Sequence, residues 1–230
     1  GNFDLDFNGE RIYLVSEDGP ELTTIDCAGA GRGFYFHSDE DARVIVKGFT
    51  VEGGRAVLGG AVYAGRTSPT FINCVLASNS GSFGGAVCAE YSQITFINTV
   101  FYNNRASYDG GAIYAYFGSP DLINCTLIEN EAGYSGGGVY AYESGGEGPS
   151  LVNSIVWANS AQSDSQLGGN VTADYCDVQG GYSGTGNLNT DPGLISVSEG
   201  RYNLSHDSSL IDAGTASGAP AYDIAGESRP

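Results

Sequence analysis

The chain has 230 residues, among them 36 glycines and no methionine, and its 27 acidic and 9 basic side chains leave a net charge of −18. That balance argues against a nucleic-acid binder, which needs a basic face to displace counterions from phosphates, and it opposes acidic polysaccharides for the same reason. No apolar run approaches the roughly 18 residues of a membrane-spanning helix, so no direct membrane span is expected, and the missing methionine reads as a mature form or an excised piece.

Residues 3–27 read as an irregular opening coil of short strands, and Thr24-Ile25-Asp26-Cys27 reads as an early copy of a later Phe-Ile-Asn-Cys motif. Residues 34–54 give a second coil, with Val46 to Val51 followed by Gly53-Gly54. From there three motifs repeat in phase. GGAVYA at Gly59 returns at Gly84, Gly110 and Gly136, in steps of 25, 26 and 26 residues. Phe71-Ile72-Asn73-Cys74 returns at Phe96, Leu122 and Leu151. An apolar residue three before Asn recurs as Leu76/Asn79, Phe101/Asn104, Leu127/Asn130 and Val156/Asn159.

Each motif is a short run of β-branched and aromatic residues between Gly, Ser, Asn and Asp clusters, and no stretch carries a sustained helical period. The expectation is an all-β, single-stranded right-handed parallel β-helix of about seven coils, a pectate-lyase-like solenoid about 35 Å tall at a strand spacing of about 4.8 Å. Stacked equivalents should then form two asparagine ladders, Asn73, Asn98, Asn124, Asn153 and Asn79, Asn104, Asn130, Asn159. The glycine pairs should supply positive φ at a corner. Val62, Val87, Ile113 and Val139 should fill the interior opposite Phe71, Phe96, Leu122 and Leu151. Residues 169–181 give one more turn, so the β-helix is expected over 1–181. The turn-rich, aperiodic residues 182–230 should form a C-terminal cap or arm that packs on the helix end or extends from it.

Asn103-Asn104-Arg105-Ala106 followed by Gly110-Gly111-Ala112-Ile113 resembles the polymorphic outer-membrane-protein repeat, which pairs GGA(I/L/V) with FxxN; only Phe101 to Asn104 carries FxxN literally. The opening from Asp6-Phe7-Asn8-Gly9 to Arg32-Gly33-Phe34-Tyr35-Phe36 is similar to those of bacterial right-handed β-helix repeat surface proteins. Asp191-Pro192-Gly193-Leu194, Ser209 to Gly214 and Asp223 to Pro230 resemble the "choice-of-anchor Q" segment of such proteins. The resemblance implies the fold and an extracellular or cell-surface location.

The residues offer few catalytic candidates. Arg55, Arg66 and Arg105 read as occupying different repeat positions. Asn189-Thr190-Asp191 spells one glycosidase tripeptide without its companion motifs, and His37 and His206 show no Ser or Cys partner. Asp109 and Glu129 read as exposed turn acids. No catalytic residue, cofactor site or metal ligand is assigned, although structural Ca²⁺ stays open at Asp39-Glu40-Asp41 and Asp4/Asp6. Strand alternation turns Tyr63, Tyr114 and Tyr140 outward, with Tyr116 and Tyr142 two residues on, and Tyr91 in part replacing the tyrosine missing at Cys88. That stripe is the candidate face for a glycan or partner. Cys27, Cys74 and Cys125 read as one column of free, buried thiols. The expected function is a non-enzymatic secreted structural or adhesive β-helix, self-associating head-to-tail into filaments or joined to another extracellular protein. The alternatives are a neutral-glycan-binding module using the tyrosines, or a polysaccharide-degrading enzyme.

Overall fold

The computed structural model describes residues 2–142, 146–198, 201–224 and 228. Gly1 and most of the closing run after Asp223 lie outside the described residues.

The coil is set by a fixed order of three short strands. In one coil these are Val87–Glu90, Thr95–Ile97 and Val100–Tyr102; the next begins at Ile113–Tyr116. Equivalent strands pair in parallel without a register slip, Val87 to Val62 and Ile113, Phe96 to Phe71 and Leu122, Phe101 to Leu76 and Leu127. The second and third sheets so formed hold seven strands each and the first holds six, with Leu5 bridging Phe34 as a seventh position. A four-stranded corner sheet, Arg55–Leu58 to Glu131–Ala132, fills the turn between the third sheet and the next coil.

Period-two alternation sends one side of every strand into the bore. Val62, Val87, Ile113 and Val139 are completely enclosed, as are Phe71, Phe96 and Leu122. The lower bore is aromatic: Phe34 meets Phe71 edge-on at 5.6 Å, Phe71 meets Phe96 at 5.5 Å, and Phe96 meets Phe101 at 5.0 Å.

Two kinds of turn keep the coils in step. Between the second and third sheets, Asn73, Asn98, Asn124 and Asn153 sit at φ of 48° to 55°, a left-handed conformation that asparagine tolerates. The next residue faces inward and is small. Cys74, Thr99, Cys125, Ser154 and Cys176 each donate to the carbonyl two residues back, at 3.0 to 3.5 Å. A thiol and a hydroxyl make the same bond here, which explains their interchange. Cys27 does not belong to this column. Thr24-Ile25-Asp26 pairs with Thr50-Val51-Glu52 in the third sheet, so Cys27 follows a different strand.

At the end of the third sheet the ladder of Asn79, Asn104, Asn130 and Asn159 is continuous and buried. Side-chain amides link consecutive members at 3.1, 2.9 and 2.9 Å, and each also reaches a backbone carbonyl of the preceding coil. The other asparagine column lies on the outer wall, with Asn98 buried there and the others half-buried, and behaves differently. Asn98 donates to Asn73 at 3.0 Å, but it also donates to the Tyr222 carbonyl, and Asn153 exchanges two hydrogen bonds of 2.8 Å with the Thr215 backbone.

Those contacts place the C-terminal segment. Residues 185–190 first close the third-sheet side of the last coil's edge: Thr185 and Leu188 carbonyls accept from Tyr175 and Val178, and the Asn187 side chain accepts from Cys176 N–H. After an antiparallel pair, Leu194–Ser198 with Arg201–Leu204, the chain turns back along the solenoid wall. Thr215 meets Asn153, Tyr222 meets Asn98 further down, and Ile224 covers the small cluster of Val75, Ala77 and Val100.

Candidate contact face

The tyrosine positions of the first sheet fall into register columns. Tyr35, Tyr63, Cys88, Tyr114 and Tyr140 share one, and Glu90, Tyr116 and Tyr142 share the next. Strand stacking brings the rings nearly parallel, Tyr114 on Tyr140 at 6.1 Å and Tyr116 on Tyr142 at 5.4 Å. Tyr63 stands slightly apart: its hydroxyl donates to Glu90 at 2.7 Å, and burial with that carboxylate raises its pKa.

Two readings of the stripe need correction. Tyr114 points outward but keeps only 8% of its surface, because Phe83 leans on it at 4.9 Å and Tyr140 covers its upper face. Burial raises its phenol pKa accordingly. Tyr91 does not stand in for Cys88. It lies past the strand end at φ 50°, stacked on Phe117 at 5.3 Å with the Arg66 guanidinium 5.2 Å from its ring.

A further aromatic row went unread in the sequence. Phe83, Tyr108 and Tyr134 stack at the corner, at 5.1 and 5.7 Å, with interplanar angles of 19° and 8°. Tyr108 and Tyr134 both lie two residues before a Gly-Gly pair, a signal that was there to be found. The result is a continuous aromatic face over three coils, whose accessible rings are Tyr91, Tyr108, Tyr134 and Tyr142, each 45–52% exposed.

The other candidates scatter. His37 Nε2 lies 3.0 Å from Asp6, and Ser38 Oγ is 3.5 Å from Nδ1, so a serine does neighbour this histidine. The contact is too long for proton transfer, and the His37 ring that would relay it is exposed, with Asp6 and Ser38 only partly buried. Arg55 and Arg105 do share a column, with Ser80 between them, and Arg105 pairs with Glu131 at 2.9 Å. Asp39, Glu40 and Asp41 diverge: Glu40 turns inward to the backbone N–H groups of Gly9 and Ser38, while Asp41 pairs with Arg43. Asp4 faces Arg32 at 3.5 Å, and Asp109 accepts from Ser135 N–H at 3.0 Å. Within Asn189-Thr190-Asp191, the first two residues bond to Gly180 and Asp177 and the third to Gly193. No group of three or more His, Cys, Asp or Glu that could hold a metal ion occurs among the described residues.

A family model described as the right-handed β-helix region matches residues 2–156. The chain belongs to this family. The match covers the opening coils and the in-phase repeat as far as Val156, including the strands that present the aromatic face; the final coil and the C-terminal segment of this β-helix lie beyond it. No curated protein and no solved structure matches the chain.

Proposed function

We propose that this β-helix is a non-enzymatic adhesive protein of the cell surface or exterior, and that it meets its partner through the aromatic face. The observation that carries the reading is the alignment of Tyr108/Tyr134 at the corner and Tyr116/Tyr142 on the first sheet as parallel ring stacks, of which Tyr108, Tyr134 and Tyr142 are about half exposed. Flat rings at fixed spacing suit the apolar faces of neutral sugar rings, or the side chains of a second protein. The resemblance to outer-membrane repeats and to the anchor segment supports a surface location.

Assembly through bare strand ends is less favoured, because residues 185–190 occupy the third-sheet edge, and the turn before it, that the last coil would offer. The test is a neutral-glycan panel, run with the intact chain and with Tyr134→Ala/Tyr142→Ala. Binding of at least one glycan that disappears in the double variant, while the fold persists, supports the reading. Equal binding by both proteins, or none at any concentration, sinks the glycan form of it; capture of a second copy on the same face would replace the sugar with the chain itself.

A further inference from the structure

A separate groove of about 480 Å³ runs along the third sheet, between the sheet and the segment that follows the last coil. Its floor is a register column, Tyr102, Ile128 and Trp157, that the strand pairing stacks one above another. Glu129 forms one rim, held out by a left-handed turn at φ 57°. Asp191, Pro192 and Leu194 form the other. That second rim is fixed: Asp191 accepts the Gly193 N–H at 2.9 Å, and Thr190 N–H donates to the buried Asp177 at 3.0 Å.

The lining combines an indole and a phenol with two exposed carboxylates, and none of the lining residues is basic. A groove of this volume suits a small molecule. An anion would be repelled by both rims and by the charge of −18 on the whole chain. A purely apolar ligand would shield two carboxylates from water without replacing that solvation. A cation with an alkyl body satisfies every wall at once, its charge attracted by the ring faces and by the carboxylates. We propose that this groove is a binding site for a small alkylammonium cation, seated against Tyr102 and Trp157 between Glu129 and Asp191. The site stands apart from the aromatic face and does not rest on its function.

Trp157 is the single tryptophan of the chain, so indole fluorescence reports this groove alone. Choline is the probe, compared with its neutral carbon isostere, in which carbon replaces nitrogen. The expected result is a saturable fluorescence change with choline, at least about tenfold weaker for the isostere and weakened by added salt. Glu129→Gln/Asp191→Asn should cost about tenfold or more in choline affinity. The unfolding midpoint of this double variant should stay unchanged, since the amide that replaces the Asp191 carboxylate keeps an oxygen acceptor for the Gly193 N–H. An unsaturable response to choline, equal responses to the two probes, or full affinity in the double variant would each overturn the assignment.

Discussion

Asn104 donates its Nδ2 hydrogen to Asn130 Oδ1 at 2.9 Å, one coil further on, and accepts from Asn79 Nδ2 at 3.1 Å, one coil back. The same Asn104 oxygen takes the Asn79 backbone N–H, and the same nitrogen reaches the Leu76 carbonyl. One side chain therefore satisfies buried groups in two neighbouring coils. Asn104→Ala would strand several of them, at about 1–3 kcal/mol each, and should lower stability by about 4 kcal/mol. Asn73→Gly keeps the left-handed turn and loses only a partly exposed bond, so it should stay within about 1 kcal/mol of the parent. Urea unfolding of both variants measures the difference.

The tyrosine column separates packing from contact. Tyr114→Ala removes a covered ring and should cost about 3 kcal/mol of stability. Tyr142→Ala removes a half-exposed ring and should cost less than about 1 kcal/mol, yet impair partner binding. If both variants lose stability alike, the stripe is a structural ladder and nothing more. Thermal melts alongside the glycan panel decide it.

Five free cysteines are all buried. Burial raises the Cys74 thiol to about 11 and the Cys125 thiol to about 12, from an ordinary 9.0. The native state therefore favours the protonated thiols more than the unfolded chain does. Their contribution is fully present below pH 9.0 and is lost as the pH rises toward about 11–12. Native protein at neutral pH should leave a thiol reagent unreacted, and denaturant should expose all five groups. Cys125→Ser should fold, because Ser154 makes the same back-bond one coil away, and it should unfold less readily with alkali than the parent does.

Gly84 combines two constraints: φ of +67° and a side-chain direction that would put Cβ 1.9 Å from the Val87 carbonyl oxygen. Gly84→Ala must move backbone shared by adjacent coils, and should cost more than about 3 kcal/mol or abolish soluble expression. Gly180 has a similar φ, +88°, but open space around it. Gly180→Ala should cost only the left-handed strain, about 1–2 kcal/mol. Circular dichroism melts of the pair separate strain from collision.

The 25- and 26-residue steps determined the coil by themselves. Once the period is fixed, strand alternation assigns Val87 and Phe96 to the bore, Tyr114 to the outside, and Asn104 to a position stacked on its own kind. Those are local or nearest-coil relations, which a repeat writes out in the sequence. The opening coils broke the rule because their spans vary: the first-coil strands Tyr13–Val15 and Thr24–Asp26 are separated by a long connection that later coils lack, so Cys27 resembled Cys74 in text but not in register. Only the tertiary structure decided which outward tyrosines stay accessible, since Phe83 covers Tyr114 from a corner strand on a different column. It alone placed the C-terminal segment beside the solenoid, through pairs 62 and 124 residues apart that no period encodes. The stretch that closes the last coil, before that return, sets Asp191 across a groove from Glu129 and Trp157, because side chains without a repeat spacing meet only where packing brings their backbones together.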